Sequence, residues 1–166
     1  MDDFLGVSVI KSKTCCFTGH REIPSYLYDK ITKETEQAIE EHIRDGYLYF
    51  GTGGALGFDT IAALTVLKLR KKYPYIKLIL VLPCSTQTKN WLPQDVKIYE
   101  EIKKQANKVV YTSQEYAKGC MHKRNRHLVD HSSACICYFS NNKGGTAYTV
   151  NYALNKGLTI HNVAAK

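Results

Sequence analysis

Ile76-Lys77-Leu78-Ile79-Leu80-Val81-Leu82-Pro83 is an almost unbroken run of Ile, Leu and Val. A strand with one wet face alternates apolar and polar residues, whereas a strand apolar on both sides needs cover on both faces, as in a parallel sheet flanked by helices. Working outward supports that reading. Phe58 to Tyr73 has helical spacing with apolar residues on nearly all sides until its basic end, Lys68 to Lys72, which predicts a mostly buried helix. Upstream, Lys13 to Thr18 and Tyr47 to Thr52 read as strands around a helix from Tyr28 to Arg44, whose apolar positions Ile31, Ala38, Ile39 and Ile43 share one face and whose end is marked by Gly46. Downstream come a helix over Asp95 to Ala106, a strand over Lys108 to Thr112, a helix over Met121 to Ser132 and a strand over Ala134 to Phe139. A helix from Thr146 to Lys156, closed by Gly157, and a strand from Leu158 to Val163 complete the series. Six strands alternating with five helices predict an α/β fold, a Rossmann-like, doubly wound, mostly parallel six-stranded sheet with helices on both faces.

The chain has 166 residues, the size of one domain, and 44% of them are hydrophobic, enough for a real core and unlike the composition of disordered chains. Residues 14–166 read as a single domain and residues 1–13, which fit no element, as an irregular amino-terminal arm. No apolar run approaches the roughly 20 residues of a membrane span. Met1-Asp2-Asp3 is acidic where a secretory signal is basic, so a cytoplasmic protein is expected. The six cysteines (15, 16, 84, 120, 135 and 137) contain no C-x-x-C pair and lie mostly in apolar segments, which predicts reduced thiols. With 23 Lys+Arg against 15 Asp+Glu the formal net charge is +8, which points to an anionic partner.

In such a sheet ligands bind outside the carboxyl ends of the strands. Of the 11 glycines, Gly19, Gly51, Gly53, Gly54, Gly57, Gly144 and Gly145 fall in the predicted strand-to-helix loops on that edge. Glycine lets backbone approach a ligand closely, and the helix that follows offers free N–H groups and a positive dipole end to a phosphate. Gly51-Thr52-Gly53-Gly54-Ala55-Leu56-Gly57 is neither a G-x-G-x-x-G fingerprint nor a P-loop, so no motif demands a particular cofactor. Asp59 sits in the first turn of the second helix, a place that suits a structural carboxylate as well as one that contacts ribose or acts as a base.

Lys118-Gly119-Cys120-Met121-His122-Lys123-Arg124-Asn125-Arg126-His127 opens the fourth helix with cations, against the macrodipole, and a bound anion near Arg124 or Arg126 would compensate. His127 and His131 are one turn apart with Cys120 and His122 upstream, but Leu128 stands where a zincin has its glutamate, and no metal is expected. Cys135 and Cys137 share one strand face and read as core. Trp91 suits an apolar anchor or a base-stacking role. The aromatic residues lie largely within predicted strands and helices, with no evident row of exposed stacking platforms.

The ordered set of Phe17-Thr18-Gly19-His20-Arg21, Gly53-Gly54-Ala55-Leu56-Gly57-Phe58-Asp59, Lys89-Asn90-Trp91, Arg124-Asn125-Arg126 with Asp130, and Lys143-Gly144-Gly145-Thr146 resembles the YpsA-like family of the SLOG superfamily over residues 14–163. The resemblance implies a Rossmann-like domain that binds nucleotides or nucleotide-derived ligands, with Gly57-Phe58-Asp59 matching the family's Gly-x-acid element. Two relatives imply alternatives. Met121-His122-Lys123-Arg124 resembles the segment of the LOG phosphoribohydrolases that carries a catalytic Arg, which makes Arg124 the matching residue. Their P-G-G-x-G-T-x-x-E motif has Thr149 in place of Glu here, so Asp59 and Arg124 are the catalytic candidates if a nucleotide is hydrolysed. Gly19-His20-Arg21 resembles the Gly-x-Arg signature of the single-strand-binding protein DprA, which leaves nucleic acid as a further alternative.

The main expectation is therefore a small phosphate-bearing, nucleotide-derived ligand held by Thr18, Gly19, His20 and Arg21, by Gly53, Gly54, Gly57 and Asp59, by Arg124, and by Lys143, Gly144, Gly145 and Thr146, without membrane association and with homo-oligomerisation open. The positive residues Arg21, Lys118, Lys123, Arg124, Arg126 and Lys143 are expected to gather around that one edge.

Overall fold

The computed structural model describes residues 9–140 and 144–165. A short helical turn over 9–12 precedes β1 (Thr14–Gly19), so the stretch read as irregular is helical there; residues 1–8 of the expected arm lie outside the described residues. The chain continues through α1 (Tyr28–Arg44), β2 (Tyr49–Thr52), α2 (Phe58–Arg70), β3 (Lys77–Leu82), α3 (Pro93–Gln105), β4 (Lys108–Tyr111), α4 (Cys120–Asp130), β5 (Ala134–Tyr138), α5 (Gly144–Asn155) and β6 (Thr159–Asn162). All pairings are parallel and the strand order is β4-β3-β2-β1-β5-β6. The expected topology is present, with no antiparallel strand among the described residues.

Strand alternation divides the core. Cys15 and Phe17 of β1 point to the face covered by α1, α2 and α3, where they join Ile39, Phe50, Phe58, Leu78, Leu80, Ile102 and Ile136. Cys16 points the other way and meets Cys135, Cys137, Leu128, Val129 and Val150 under α4 and α5. Phe17 lies 6.2 Å from Phe50 and 6.4 Å from Phe58 between ring centroids. Burying each such ring stabilises the fold by about 1.5–3 kcal/mol. All six cysteines are buried free thiols. Burial is the main cause that lifts the thiols of Cys15 and Cys137 above the ordinary range, Cys137 to about 12.

Element ends differ from expectation for local reasons. Pro93 occupies the first turn of α3, where its missing N–H costs nothing, so that helix begins two residues before Asp95. Gly144 and Gly145 belong to the first turn of α5 rather than to a loop ahead of Thr146.

The order of strands reverses at β1. Three strands follow it on one side, and β5 returns on the other, with Gly19 opposite Tyr138 in the register. Loops leaving β1 and β5 consequently diverge and open a crevice at the carboxyl edge. Two glycines let the first of these loops lie directly on α2. Gly57 has φ +77, and a Cβ there would run into the Arg21 carbonyl, while a Cβ on Gly19 would meet the Phe58 ring at 2.5 Å. Backbone hydrogen bonds seal the junction: Phe58 N–H donates to the His20 carbonyl at 3.1 Å and His20 N–H to the Tyr138 carbonyl at 3.3 Å.

Candidate functional site

A cleft of about 330 Å³ fills the crevice. Its walls come from four places far apart in sequence: Thr18 to Arg21 after β1, Ala55 and Asp59 at the head of α2, Met121, His122, Arg124 and Asn125 on α4, and Gly144 to Thr146 at the start of α5. The amino end of α5 opens onto it, which places the positive end of a helix dipole at the cavity wall.

Arg124 is the principal charge. It is only 3% exposed. Its Nη1 donates to the Gly53 carbonyl, its Nε donates to Asn125 Oδ1 at 2.7 Å, and its Nη2 lies 3.9 Å from the Met121 sulfur. Among the described residues no carboxylate stands within 4 Å of it. Burial pushes the guanidinium pKa down, and the Asp59 charge works in the opposite sense. A buried cation is normally paired, because desolvation costs several kcal/mol per ion, at the order-of-magnitude level. Gly53 makes room for this arrangement, since a Cβ there would collide with the guanidinium group.

Asp59, 7% exposed, accepts the Ala55 N–H at 3.1 Å and so ties the glycine-rich turn to α2. Burial raises its carboxyl above the usual range, and the positive charge of Arg124 and the Ala55 N–H offset part of that rise. His20 Nε2 accepts the Ser140 N–H at 2.9 Å, which fixes that nitrogen as unprotonated and leaves the proton of the neutral ring on Nδ1. Burial lowers its pKa.

The expected residues thus have different positions relative to the cleft. Thr18, Gly19, His20, Arg21, Asp59, Arg124, Gly144, Gly145 and Thr146 line it, whereas Gly53, Gly54 and Gly57 stand behind its wall. A Cβ on Gly54, whose φ is +70, would meet Leu82 and Tyr99 rather than the cavity. Lys143 lies outside the described residues. The gathering of cations is narrower than expected. Exposed Arg21 sits at the mouth and Arg124 within. Lys123 and Arg126 border a separate hollow beside Tyr111 and Asp130, Arg126 donates to the Tyr148 hydroxyl at 3.2 Å, and Lys118 is exposed ahead of α4 and does not line the cleft. Each step along a helix turns the side chain by about 100°, so neighbours of Arg124 in sequence leave its face. Met121 and Asn125, which the sequence reading quoted only within motifs, are one turn apart on α4 and line the cleft to either side of Arg124.

The remaining sequence candidates have structural places. Thr149 is buried and donates to the Gly145 carbonyl of its own helix at 2.9 Å. Trp91 packs edge-on against Tyr99 at 5.4 Å beside the core. The His127 and His131 rings stack at 4.1 Å, and among the described residues no three His, Cys, Asp or Glu side chains are grouped to hold a metal. Cys135 and Cys137 lie in the core between sheet and α4.

A short aromatic run, within helices as expected, does come to the surface at one place: exposed His122 stands 4.3 Å from exposed Tyr148, and Tyr148 lies 6.4 Å from half-buried Tyr152 with the two rings within 12° of parallel. Tyr148 and Tyr152 are one turn apart on α5.

The arrangement can hold an anion between a buried guanidinium, a second cation at the mouth and a helix amino end. Among the described residues no helix is long and apolar enough to cross a membrane.

Residues 15–164 match the family described as YspA SLOG (YpsA). The SPbeta prophage-derived protein YoqJ of Bacillus subtilis is 31% identical over 139 residues, which span 76% of this chain and 80% of that protein. A UPF0398 protein of Halalkalibacterium halodurans is 30% identical over 118 residues, 70% of this chain and 62% of its own. Among solved structures, DNA processing protein A from Helicobacter pylori, described for its single-stranded DNA binding mode, superposes with a TM-score of 0.67 at 22% identity, over 95% of this chain and 67% of that one. DNA processing protein A from Streptococcus pneumoniae gives 0.66 at 16% identity, over 92% of this chain but only 50% of that one. At these identities the likeness is one of fold.

Proposed function

The chain belongs to the YspA SLOG family, and from that premise we propose that it binds a phosphate-bearing, nucleotide-derived ligand in the cleft at the carboxyl edge of β1 and β5. The observation that carries the reading is Arg124: a guanidinium held in the protein interior, facing a cavity, with carbonyl and amide oxygens but no carboxylate within ion-pair distance among the described residues. A phosphate would supply the missing countercharge, and Arg is suited to bidentate contact with it. Arg21 at the mouth and the start of α5 would share the remaining phosphate charge. Asp59, which lines the cleft and accepts the Ala55 N–H, would accept from a ribose hydroxyl. Thr149 offers no carboxylate to stabilise an oxocarbenium-like transition state and spends its hydroxyl on its own helix, which favours binding over N-glycosidic cleavage. The fold likeness to a protein described for its single-stranded DNA binding mode is compatible with this chemistry, since both kinds of ligand carry phosphate.

Thermal unfolding in the presence of AMP, ADP, ADP-ribose and NAD tests the reading. A ligand at about 100 times its Kd stabilises by about 2.7 kcal/mol, which for a chain of this size raises Tm by roughly 5–11 °C at about 2–4 °C per kcal/mol. At least one of the four should do so for the native chain and lose most of the effect in Arg124→Gln. No shift with any of them, or the same shift in the variant, overturns the proposal.

A further inference from the structure

The cleft does not end at its own mouth. His122 lines it and is exposed, and from His122 the aromatic row continues over exposed Tyr148 to half-buried Tyr152. Positive groups accompany the row: Arg126 donates to the Tyr148 hydroxyl at 3.2 Å, and Lys156 Nζ stands 5.4 Å from the Tyr152 ring centre. One carboxylate, Asp130, is also present and accepts from the Tyr152 hydroxyl at 2.8 Å. Tyr148 and Tyr152 are nearly parallel, 6.4 Å apart and one helical turn apart, and α5 holds both rings on a rigid element.

Packing against α4 accounts for part of this pattern, since Tyr152 is half-buried against the core and both hydroxyls bond α4 side chains, but it leaves His122 and the Tyr148 ring at the surface. Tyr148 is 39% exposed although it lies on a helix whose opposite face, with Ala147, Val150 and Ala153, already packs on the sheet. Aromatic rings spaced along a surface with cations beside them form the platform on which successive bases of a single strand stack, with the backbone phosphates drawn to the cations.

We propose that the ligand is a short single-stranded oligonucleotide, with its terminal phosphate in the cleft and its following bases laid along His122, Tyr148 and the accessible edge of Tyr152, on the seam between α4 and α5. This rests on the cleft being a phosphate site and goes beyond it by fixing the class of ligand and the direction in which it leaves. Tyr148 receives the base nearest the cleft and Tyr152 the next. Lys156, exposed just past the end of α5, swings from the Tyr152 ring to a backbone phosphate. A mononucleotide uses only the first part of this surface, so each further nucleotide adds affinity until the row ends.

The experiment is competition by dTMP, 5′-phosphorylated (dT)2 and 5′-phosphorylated (dT)4 against a 3′-fluorescein-labelled, 5′-phosphorylated (dT)4, read by anisotropy at 100 mM NaCl, together with direct calorimetric titration of dTMP. Stacking of one base should add about fivefold or more in affinity. The expected result is that (dT)4 competes at least tenfold better than dTMP, that Tyr152→Ala reduces this gap to less than threefold, and that Tyr152→Phe, which keeps the ring and loses the bond to Asp130, preserves it. Equal competition by dTMP and (dT)4, or a gap that survives Tyr152→Ala, overturns the proposal. If dTMP binds in an Arg124-dependent manner and length adds nothing, only the platform is refuted. If neither dTMP nor any oligomer binds, the cleft reading fails for these ligands and the platform fails with it. Circular dichroism and Tm of each variant separate lost binding from lost folding.

Discussion

Gly145 offers a substitution in which stability and binding should move in opposite directions. It lies in the first turn of α5, its φ is not positive, and a Cβ built on it meets nothing within 4 Å. Nothing in the protein itself therefore requires glycine there. Alanine restricts the unfolded chain and suits a helix better, a gain of about 0.5–1 kcal/mol, so Gly145→Ala should raise Tm by about 1–4 °C for a chain of this size. The methyl group would project into space that the ligand uses, because Gly145 lines the cleft. Gly53→Ala is the contrasting case. Its methyl would strike the Arg124 guanidinium, and overpacking of this kind costs about 1–3 kcal/mol, a fall in Tm of about 2–12 °C. Differential scanning fluorimetry of both variants, with and without whichever of AMP, ADP, ADP-ribose or NAD stabilises the native chain most, gives four numbers. Gly145→Ala should show a higher unliganded Tm with a reduced ligand shift, and Gly53→Ala a lower Tm with a reduced ligand shift. A destabilised Gly145→Ala would refute the open geometry of that turn. A Gly145→Ala protein that is stabilised yet keeps the full ligand shift would refute close approach of ligand to α5.

Two further predictions concern pH. Burial raises the Asp59 carboxyl above its ordinary 3.8, so the protonated folded form is favoured, and the stability linked to this group is complete at acid pH and is lost as pH rises through the raised value. The stability of the native chain minus that of Asp59→Asn, from urea midpoints at steps from pH 3.5 to 7, should fall as pH rises; a difference that grows would contradict the burial of the carboxylate. His20 behaves oppositely. Its pKa is lowered from 6.5 by burial, so its contribution is present above that value and is lost as pH falls through the lowered one. The Ser140 amide, which donates to His20 Nε2, should report this in a 15N–1H titration with a midpoint below 6.5; a midpoint at or above 6.5 would show that this nitrogen is free to take a proton.

The sheet was legible because its signals are local and redundant. Lys77–Leu82 is apolar on both sides for the reason a central parallel strand must be, and α2 is apolar nearly all round because it is buried. The side of β1 on which β5 returns was not legible, since strand order depends on pairings between distant residues. At the site, Asp59 and Arg124 could be read from their place at helix starts, but their relation could not. Arg124 turns inward while Lys123 and Arg126 turn away, and only the way α4 is rotated about its own axis against the sheet decides which of these cations is buried. The glycine-rich turn after β2 looked like a ligand cradle, yet Gly53 and Gly57 meet protein atoms, Arg124 and the Arg21 carbonyl. Sequence shows that backbone comes close to something there; the structure shows what that something is. The tyrosines of α5 were overlooked because a one-turn spacing is also what packing produces, and only the structure shows Tyr148 exposed and Tyr152 half-buried against the core.

The six buried thiols give the molecule a clock of its own. A cysteine reacts as thiolate; all six thiols are buried, and Cys15, Cys135 and Cys137 are in addition held protonated by burial and by neighbouring thiols. A small alkylating reagent therefore has to wait for the sheet to open, so the rate at which these sites acquire mass counts opening events of the core that supports the cleft. Ligand that closes the crevice between β1 and β5 should slow that count for Cys16, Cys135 and Cys137 together, which would make occupancy readable by mass spectrometry with no label attached to protein or ligand.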